Sequence, residues 1–129
     1  ASGLAANVVW TSPVAGRNVV NYAFVHRGGP ARKPVTLSTG NGGSAEAMVS
    51  TGLDGTVTAV WKQETADGVR VMAATRKPGN PFSRPRMISS RAPTEAPQVS
   101  VGAYGASTAA WQSEKRIEGA RTIGNPRKR

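Results

Sequence analysis

Thr56-Val57-Thr58-Ala59-Val60-Trp61 is the stretch of sequence that decides the fold. Threonine alternates with apolar residues and the run ends on an apolar pair, which predicts a β-strand with one strongly buried face. Similar runs recur along the chain: Val8-Val9-Trp10 ends 51 residues earlier and Ala109-Ala110-Trp111 ends 50 residues later. The chain of 129 residues therefore repeats itself about every 50 positions.

Other features recur with the same period. They are turn, strand and strand-end segments that match in pairs: Gly28-Gly29-Pro30 with Gly79-Asn80-Pro81, Leu37-Ser38 with Ile88-Ser89, and Val49-Ser50 with Val99-Ser100. A period of this length is typical of stacked or radial modules, none of which can bury its apolar face alone.

Each repeat unit has room for four short strands. In the second unit an Asp67-Gly68 turn signal joins the first two strands, and the prolines of 77–81 break the chain before the third. Four antiparallel strands in about 50 residues is the size of a propeller blade. We therefore predict an all-β protein of propeller-type four-stranded antiparallel blades, incomplete in one chain. The first blade spans about 5–55, the second about 56–105 and a partial third about 106–126, with a basic tail at 127–129.

The phrases RVMAATRKPGNPFSRPRMISS (70–90), APQVSVGAYGASTAAW (96–111) and STGLDGTVTAVW (50–61) carry a family resemblance. They resemble the repeated blades of bacterial, especially actinobacterial, β-propeller-like proteins. In that family a Pro-x-Val-x-Val segment, an Asp-x-x-Gly turn and an Ala-x-x-Trp strand recur along long extracellular chains. The resemblance implies blade architecture over residues 5–126. The second unit departs from the pattern, because Tyr104 stands at the aspartate position of its turn.

Two and a half blades cannot close a ring, which takes about 4–8 of them. Open sheet faces and unpaired edges promote aggregation. We therefore expect a homo-oligomer first. Further blades from another chain, a parent protein longer than this chain, and an open stack of two packed sheets are the alternatives.

Positive charge dominates the composition, with 17 Lys and Arg against 7 Asp and Glu, a net charge of +10. Such a charge favours polyanions. A polyanion-binding surface is predicted from the basic residues near the end of the chain: Lys115, Arg116, Arg121, Arg127, Lys128 and Arg129. The chain could thereby dock as a structural or assembly protein on a larger complex, including one that contains nucleic acid. A solubilising surface is the alternative interpretation.

Two features of the sequence bear on the cellular location of the protein: its first residues and the lengths of its apolar runs. No apolar run reaches the roughly 20 residues of a membrane-spanning helix. The small residues Ala1-Ser2-Gly3 fit a mature protein whose signal peptide has been removed, and an arbitrary boundary fits equally well. The expectation is a secreted or cell-surface protein without a membrane span.

Catalytic chemistry is poorly supplied. Cysteine is absent and His26 is the only histidine, so histidine triads and multi-His or Cys metal sites lack their parts. Asp54 and Asp67 lie in Asp-Gly turns, where aspartate serves turn geometry. A glycosidase pair of carboxylates from different blades stays open. The prediction is a non-enzymatic protein with no cofactor, no metal and no catalytic residue.

The tryptophans allow two interpretations. A tryptophan at one register of every unit suits a packing wedge between blades, and its ring also suits stacking on a sugar face. We predict a lectin-like module that binds carbohydrate or a cell-surface polymer in pockets between the blades of an oligomeric propeller. The predicted ligand-binding residues are Trp10, Trp61, Trp111, Gln63, Arg70 and Arg76.

Overall fold

The computed structural model describes residues 5–26, 28 and 32–121, and over these residues the protein is all-β. They form ten strands and no helix. The strands are β1 (Ala5–Val14), β2 (Arg17–His26), β3 (Val35–Thr36), β4 (Ser44–Thr51), β5 (Val57–Thr65), β6 (Gly68–Arg76), β7 (Arg86–Met87), β8 (Gln98–Val101), β9 (Ser107–Ser113) and β10 (Arg116–Arg121).

The described strands form three antiparallel sheets, and within each sheet the strands pair in their sequence order. The first sheet has the order β1-β2-β3, the middle sheet β4-β5-β6-β7 and the last sheet β8-β9-β10. None of the three sheets closes on itself within the described residues. Their simple order follows from tight turns, such as the Ala15-Gly16 turn between β1 and β2, which force consecutive strands to lie side by side.

The sheets pack face to face, and the middle sheet is buried on both faces. One cluster joins the first sheet to the middle sheet around Trp61, with Val20, Tyr22 and Leu37 on the first-sheet side. A second cluster joins the middle and last sheets around Trp111, with Val60, Val71 and Ala73 on the middle-sheet side. Burial on both faces explains why residues 56–61 are buried without alternation, although their sequence alternates.

The recurring Leu-Ser and Ile-Ser pairs end the third strand of the first and middle sheets in the same way. Leu37 N–H donates to Val20 O (2.8 Å), and Ile88 N–H donates to Val71 O (2.9 Å). The serine that follows bonds to the same strand residue. Val20 N–H donates to Ser38 Oγ (2.9 Å), and Val71 N–H donates to Ser89 Oγ (2.8 Å). The serine replaces a carbonyl at the point where the strand diverges, so buried amides stay paired.

The Gly-rich turns before β5 and β9 are also equivalent. Gly52 N–H donates to Thr56 O (2.8 Å), and Gly102 N–H donates to Ala106 O (2.8 Å). Gly55 and Gly105 occupy the same place with φ of 90° and 88°, a conformation that favours glycine. The period seen in the sequence is therefore a period of the backbone.

The boundaries between sheets differ from the boundaries between sequence repeats: the last strand of each repeat belongs to the sheet of the next repeat. The strand over 44–51 ends the first unit in the sequence, yet it pairs with β5 of the second unit. Likewise β8 pairs with β9 of the third unit. The physical reason is the turn just described, which is too short to carry the chain to a different sheet. The first sheet consequently has three described strands, and the middle sheet is the four-stranded one.

The hairpin of the third unit is shorter than the others. Trp61 pairs across the sheet with Met72, eleven positions later, whereas Trp111 pairs with Glu118, seven positions later. In the sequence, Gly79-Asn80-Pro81 begins 18 positions after Trp61, whereas Gly124-Asn125-Pro126, outside the described residues, begins 13 positions after Trp111. The loss of four residues in the hairpin accounts for most of this difference of five.

Candidate functional site

A cleft of about 430 Å³ opens between the outer strands of the first and middle sheets. Its walls come from β2, from the segment 32–39 around β3, from the end of β6 and from the loop 80–85. The volume lies within the range of about 300–1,000 Å³ that small-ligand sites occupy. We call this space the intersheet cleft.

Tyr22 and Phe82 form the aromatic floor of the intersheet cleft. Their rings meet edge to face with centroids 4.8 Å apart and an interplanar angle of 67°. The Tyr22 hydroxyl donates to Asn7 Oδ1 and accepts a bond from Arg76 Nη2 (3.0 Å). Burial raises the pKa of the Tyr22 phenol, which the nearby Arg76 charge only partly opposes. Tyr22 is therefore a fixed, neutral wall of the site.

Arg76 lies over this aromatic floor. Its guanidinium carbon is 5.4 Å from the centroid of Tyr22 and 5.7 Å from that of Phe82, which is within cation–π range. Its Nε is buried and has no hydrogen-bond partner among the described residues. The rings and the single hydroxyl bond fix the plane of a charge that no carboxylate neutralises.

The rim of the cleft adds three more cations. Arg32 lies 5.4 Å above the Phe24 ring, and Lys33 and Arg84 also line the opening. All seven acidic residues of the chain fall within the described part, and none of them lines this cleft. Among the described residues, the cleft thus brings four positive side chains and no negative one to an aromatic cavity.

The loop that carries Phe82 is held to the strand behind it. Ser83 N–H donates to Thr75 O (2.8 Å), and Thr75 N–H donates to Ser83 Oγ (3.1 Å). Asn80 N–H closes the preceding turn on Lys77 O (3.0 Å). These bonds continue the edge of the middle sheet, so the Phe82 ring is positioned by backbone pairing.

The three tryptophans have different surroundings. Trp61 is fully buried, and its Nε1–H donates to Gln63 Oε1 (2.8 Å). Trp111 is 4% exposed and its Nε1–H donates to Glu118 Oε1 (3.2 Å). Trp10 lies on the outer face of the first sheet and is 37% exposed. In this arrangement a ligand could stack on Trp10 but not on Trp61 or Trp111, which pack between sheets.

Gln63 and Arg70 lie away from the intersheet cleft. Gln63 is buried, and its Nε2 donates to Thr39 O (2.8 Å) beside a second, more open depression of about 550 Å³. Arg70 donates from Nη1 to Val69 O and lies six residues along β6 from Arg76, about 20 Å in an extended strand. Of the six predicted ligand-binding residues, only Arg76 lines this cleft.

The predicted polyanion-binding residues fall in two groups. Lys115, Arg116 and Arg121 are exposed on the β9–β10 hairpin, whereas Arg127, Lys128 and Arg129 lie outside the described residues. Docking on a polyanionic complex through this end of the chain stays a prediction. Among the described residues no three His, Cys, Asp or Glu side chains are grouped so that they could hold a metal ion.

Sequence reasoning missed the aromatic residues of the cleft. Three of the four Tyr and Phe residues line it, namely Tyr22, Phe24 and Phe82. The repeat places small residues at the equivalent positions of the middle sheet. Trp10 pairs with Asn21 as Trp61 pairs with Met72, so the equivalents of Tyr22 and Phe24 are Ala73 and Thr75. The cleft is therefore not repeated at the next sheet junction. The available signal was the set of aromatic residues that break the repeat.

Comparison with protein families, with curated proteins and with solved structures finds no match to this chain. The described part of the chain has no helix with the length and apolar character needed to cross a membrane.

Proposed function

We propose that the protein is a non-enzymatic binding module that takes a carbohydrate, free or as part of a cell-surface polymer, into the intersheet cleft. The observation that supports this proposal is the cleft itself: a cavity with ring edges in its floor and polar side chains at its rim. Carbohydrate sites combine apolar contact with hydrogen-bonding groups. In this cleft the apolar contact would be to ring edges, because arginine side chains cover the faces of Tyr22 and Phe24.

We also propose that the three sheets are blades of a propeller-type assembly. Their consecutive strand order, their face-to-face packing and the tryptophans between them support this proposal. The outer face of the first sheet exposes Val8, Trp10 and Val14, which are apolar side chains that a further blade would cover. That blade would come from a second copy or from another chain.

Light scattering during gel filtration tests the assembly. If a second copy supplies the covering blade, the wild-type chain forms a discrete multimer and Trp10→Ser shifts it toward the monomer. A wild-type monomer would exclude a second copy as the source of the covering blade. A multimer that Trp10→Ser leaves intact would exclude this face as the contact.

A glycan array with the labelled protein tests the binding function. Phe82→Ala removes half of the aromatic floor from a half-buried loop position, while Arg70→Gln removes a positive charge from the same strand as Arg76 but outside the cleft. We expect wild type and Arg70→Gln to bind the same glycans, and Phe82→Ala to lose them although its thermal unfolding stays cooperative. A blank array for the wild type, or equal binding by Phe82→Ala, would refute the proposal.

A further inference from the structure

We propose that the ligand of the intersheet cleft carries a negative charge, as a sugar unit with a carboxylate or sulfate group that Arg76 and the rim cations bind. This inference rests on the proposed carbohydrate-binding function and narrows its substrate class.

The charge of the cleft is the first observation. Arg32, Lys33, Arg76 and Arg84 converge on one cavity, and no acidic side chain lines it. The chain's ion pairs among described residues lie elsewhere, at Lys62–Glu46 and Arg91–Glu118. Like charges gathered in a concave site focus a positive potential, which raises the local concentration of anions.

The state of Arg76 is the second observation. Two rings and the Tyr22 hydroxyl hold its guanidinium plane, so its donors are oriented before a ligand arrives. A planar, fixed fork matches the geometry of a carboxylate or sulfate and loses little freedom on binding. Because Arg76 is partly buried and has no carboxylate partner, an anion would neutralise a charge that the fold leaves open.

The donor and acceptor balance of the lining distinguishes an anionic sugar from a neutral one. Arginine and lysine side chains only donate hydrogen bonds. The side-chain acceptors available in the cleft are hydroxyl and amide groups, including those of Thr36, Asn80 and Ser83. A neutral sugar offers hydroxyls that must also donate, whereas a carboxylate or sulfate only accepts. The lining therefore suits an acceptor-rich ligand.

The aromatic geometry argues against a nucleic-acid ligand. Base stacking needs open ring faces, yet Arg76 covers Tyr22 and Arg32 covers Phe24. Tyr22 is also only 5% exposed. In addition, the four cations surround one cavity, whereas binding of a nucleic-acid backbone would need a basic track.

Calorimetric titration with matched oligosaccharides tests the inference. The probes are a tetrasaccharide with alternating glucuronate units, its carboxyl-reduced neutral form, and a sulfate ester of that neutral form. One charge-assisted hydrogen bond is worth about 1.5–3 kcal/mol, so an anionic probe should bind at least about tenfold more tightly than the neutral form. Binding of one anionic probe alone identifies carboxylate or sulfate as the source of the charge.

The variants assign the effect to the cleft. Arg84→Gln changes an exposed rim side chain and should weaken the anionic probe several-fold. Arg76→Lys keeps the charge but loses the planar fork, and it should weaken the anionic probe more strongly. Arg70→Gln, outside the cleft, should bind like the wild type. Circular dichroism melting confirms that each variant is folded.

The outcomes separate the two proposals. Equal affinity for the charged and neutral tetrasaccharides would overturn the anionic class while leaving carbohydrate binding in place. Binding of the charged probe that Arg84→Gln and Arg76→Lys leave unchanged would also overturn the inference. Failure of all three oligosaccharides, with binding of a single-stranded oligonucleotide or of nothing, would overturn both proposals.

Discussion

Replacing each tryptophan in turn by phenylalanine should give three different losses of stability, although the three occupy one register of the repeat. Trp61 is fully buried, Trp111 is 4% exposed and Trp10 is 37% exposed. Phenylalanine keeps an aromatic ring at each position and removes the indole N–H, so the series measures how each indole is packed and bonded.

The size of each loss follows from the partner of the indole. Trp61→Phe leaves the Oε1 of buried Gln63 without its donor, which costs about 1–3 kcal/mol. The smaller ring loses roughly 1 kcal/mol of apolar burial. We therefore expect a loss of about 2–4 kcal/mol. Trp111→Phe should cost about 1–2 kcal/mol, because Glu118 is half-buried and keeps Arg91 as a partner at 3.7 Å.

Trp10→Phe, compared with the others at a protein concentration at which the chain is monomeric, is the matched control, with an expected change of about 0.5 kcal/mol or less. Urea denaturation followed by far-ultraviolet circular dichroism measures all three free energies of unfolding, provided that the slope with urea stays constant. The predicted order of loss is Trp61, then Trp111, then Trp10. A loss at Trp10 equal to that at Trp61 would contradict the assignment of the tryptophans to packing between sheets.

Three further changes test the packing and the turns. Gly52→Ala should destabilise by about 1–3 kcal/mol in urea denaturation, because the added Cβ would lie 2.6 Å from Gly102 O, in the turn that follows β8. Ser89→Ala should cost about 1–3 kcal/mol in the same assay, because the amide of Val71 loses its buried acceptor. Asp54→Asn should flatten the fall in melting temperature below about pH 4. The Thr56 N–H bond lowers the pKa of Asp54 below its ordinary 3.8, so the ionised form stabilises the fold and that contribution is lost on acidification.

Each of these changes has a control within the chain. Gly102→Ala places its Cβ in ordinary contact, 3.5 Å from Ala106 O, and should be nearly neutral. Ser90→Ala alters an exposed hydroxyl beside Ser89 and should be nearly neutral too. If the glycine pair or the serine pair gave equal losses, the corresponding contact would be excluded. An unchanged acid profile for Asp54→Asn would exclude that carboxylate as a source of the pH dependence.

The strands were predictable from the sequence because their signals are local. The alternation in 56–61 predicts a strand and Asp67-Gly68 predicts a turn after it, and both elements are present, although the strand is buried on both faces and not on one alone. The grouping of strands into sheets was harder to predict from the sequence. A repeating pattern does not show at which point in its period one sheet ends and the next begins. The tight turn at Gly52–Thr56 decides the division, and its hydrogen bonds are a property of the folded backbone.

The site was only partly predictable, because its residues are distant in sequence and lie outside the repeat. Arg76 was accessible from its strand and charge. Tyr22 and Phe82 meet only because two sheets pack together, 60 residues apart in the chain. The exposure of each tryptophan could not be predicted either. A similar apolar run precedes Trp61, which is buried between sheets, and Trp10, which lies on an exposed sheet face.

The central claim is that the ligand binds between the first and middle sheets. Two-dimensional ¹H–¹⁵N NMR of the protein, titrated with the glucuronate tetrasaccharide, tests this most directly because each backbone amide and each indole reports separately. Binding in the cleft should concentrate the shifts at Phe24, Arg76 and Phe82 and leave the Trp10 and Trp111 indole signals unmoved. Shifts concentrated at Trp10 or on the β9–β10 hairpin around Lys115, with the cleft silent, would contradict it.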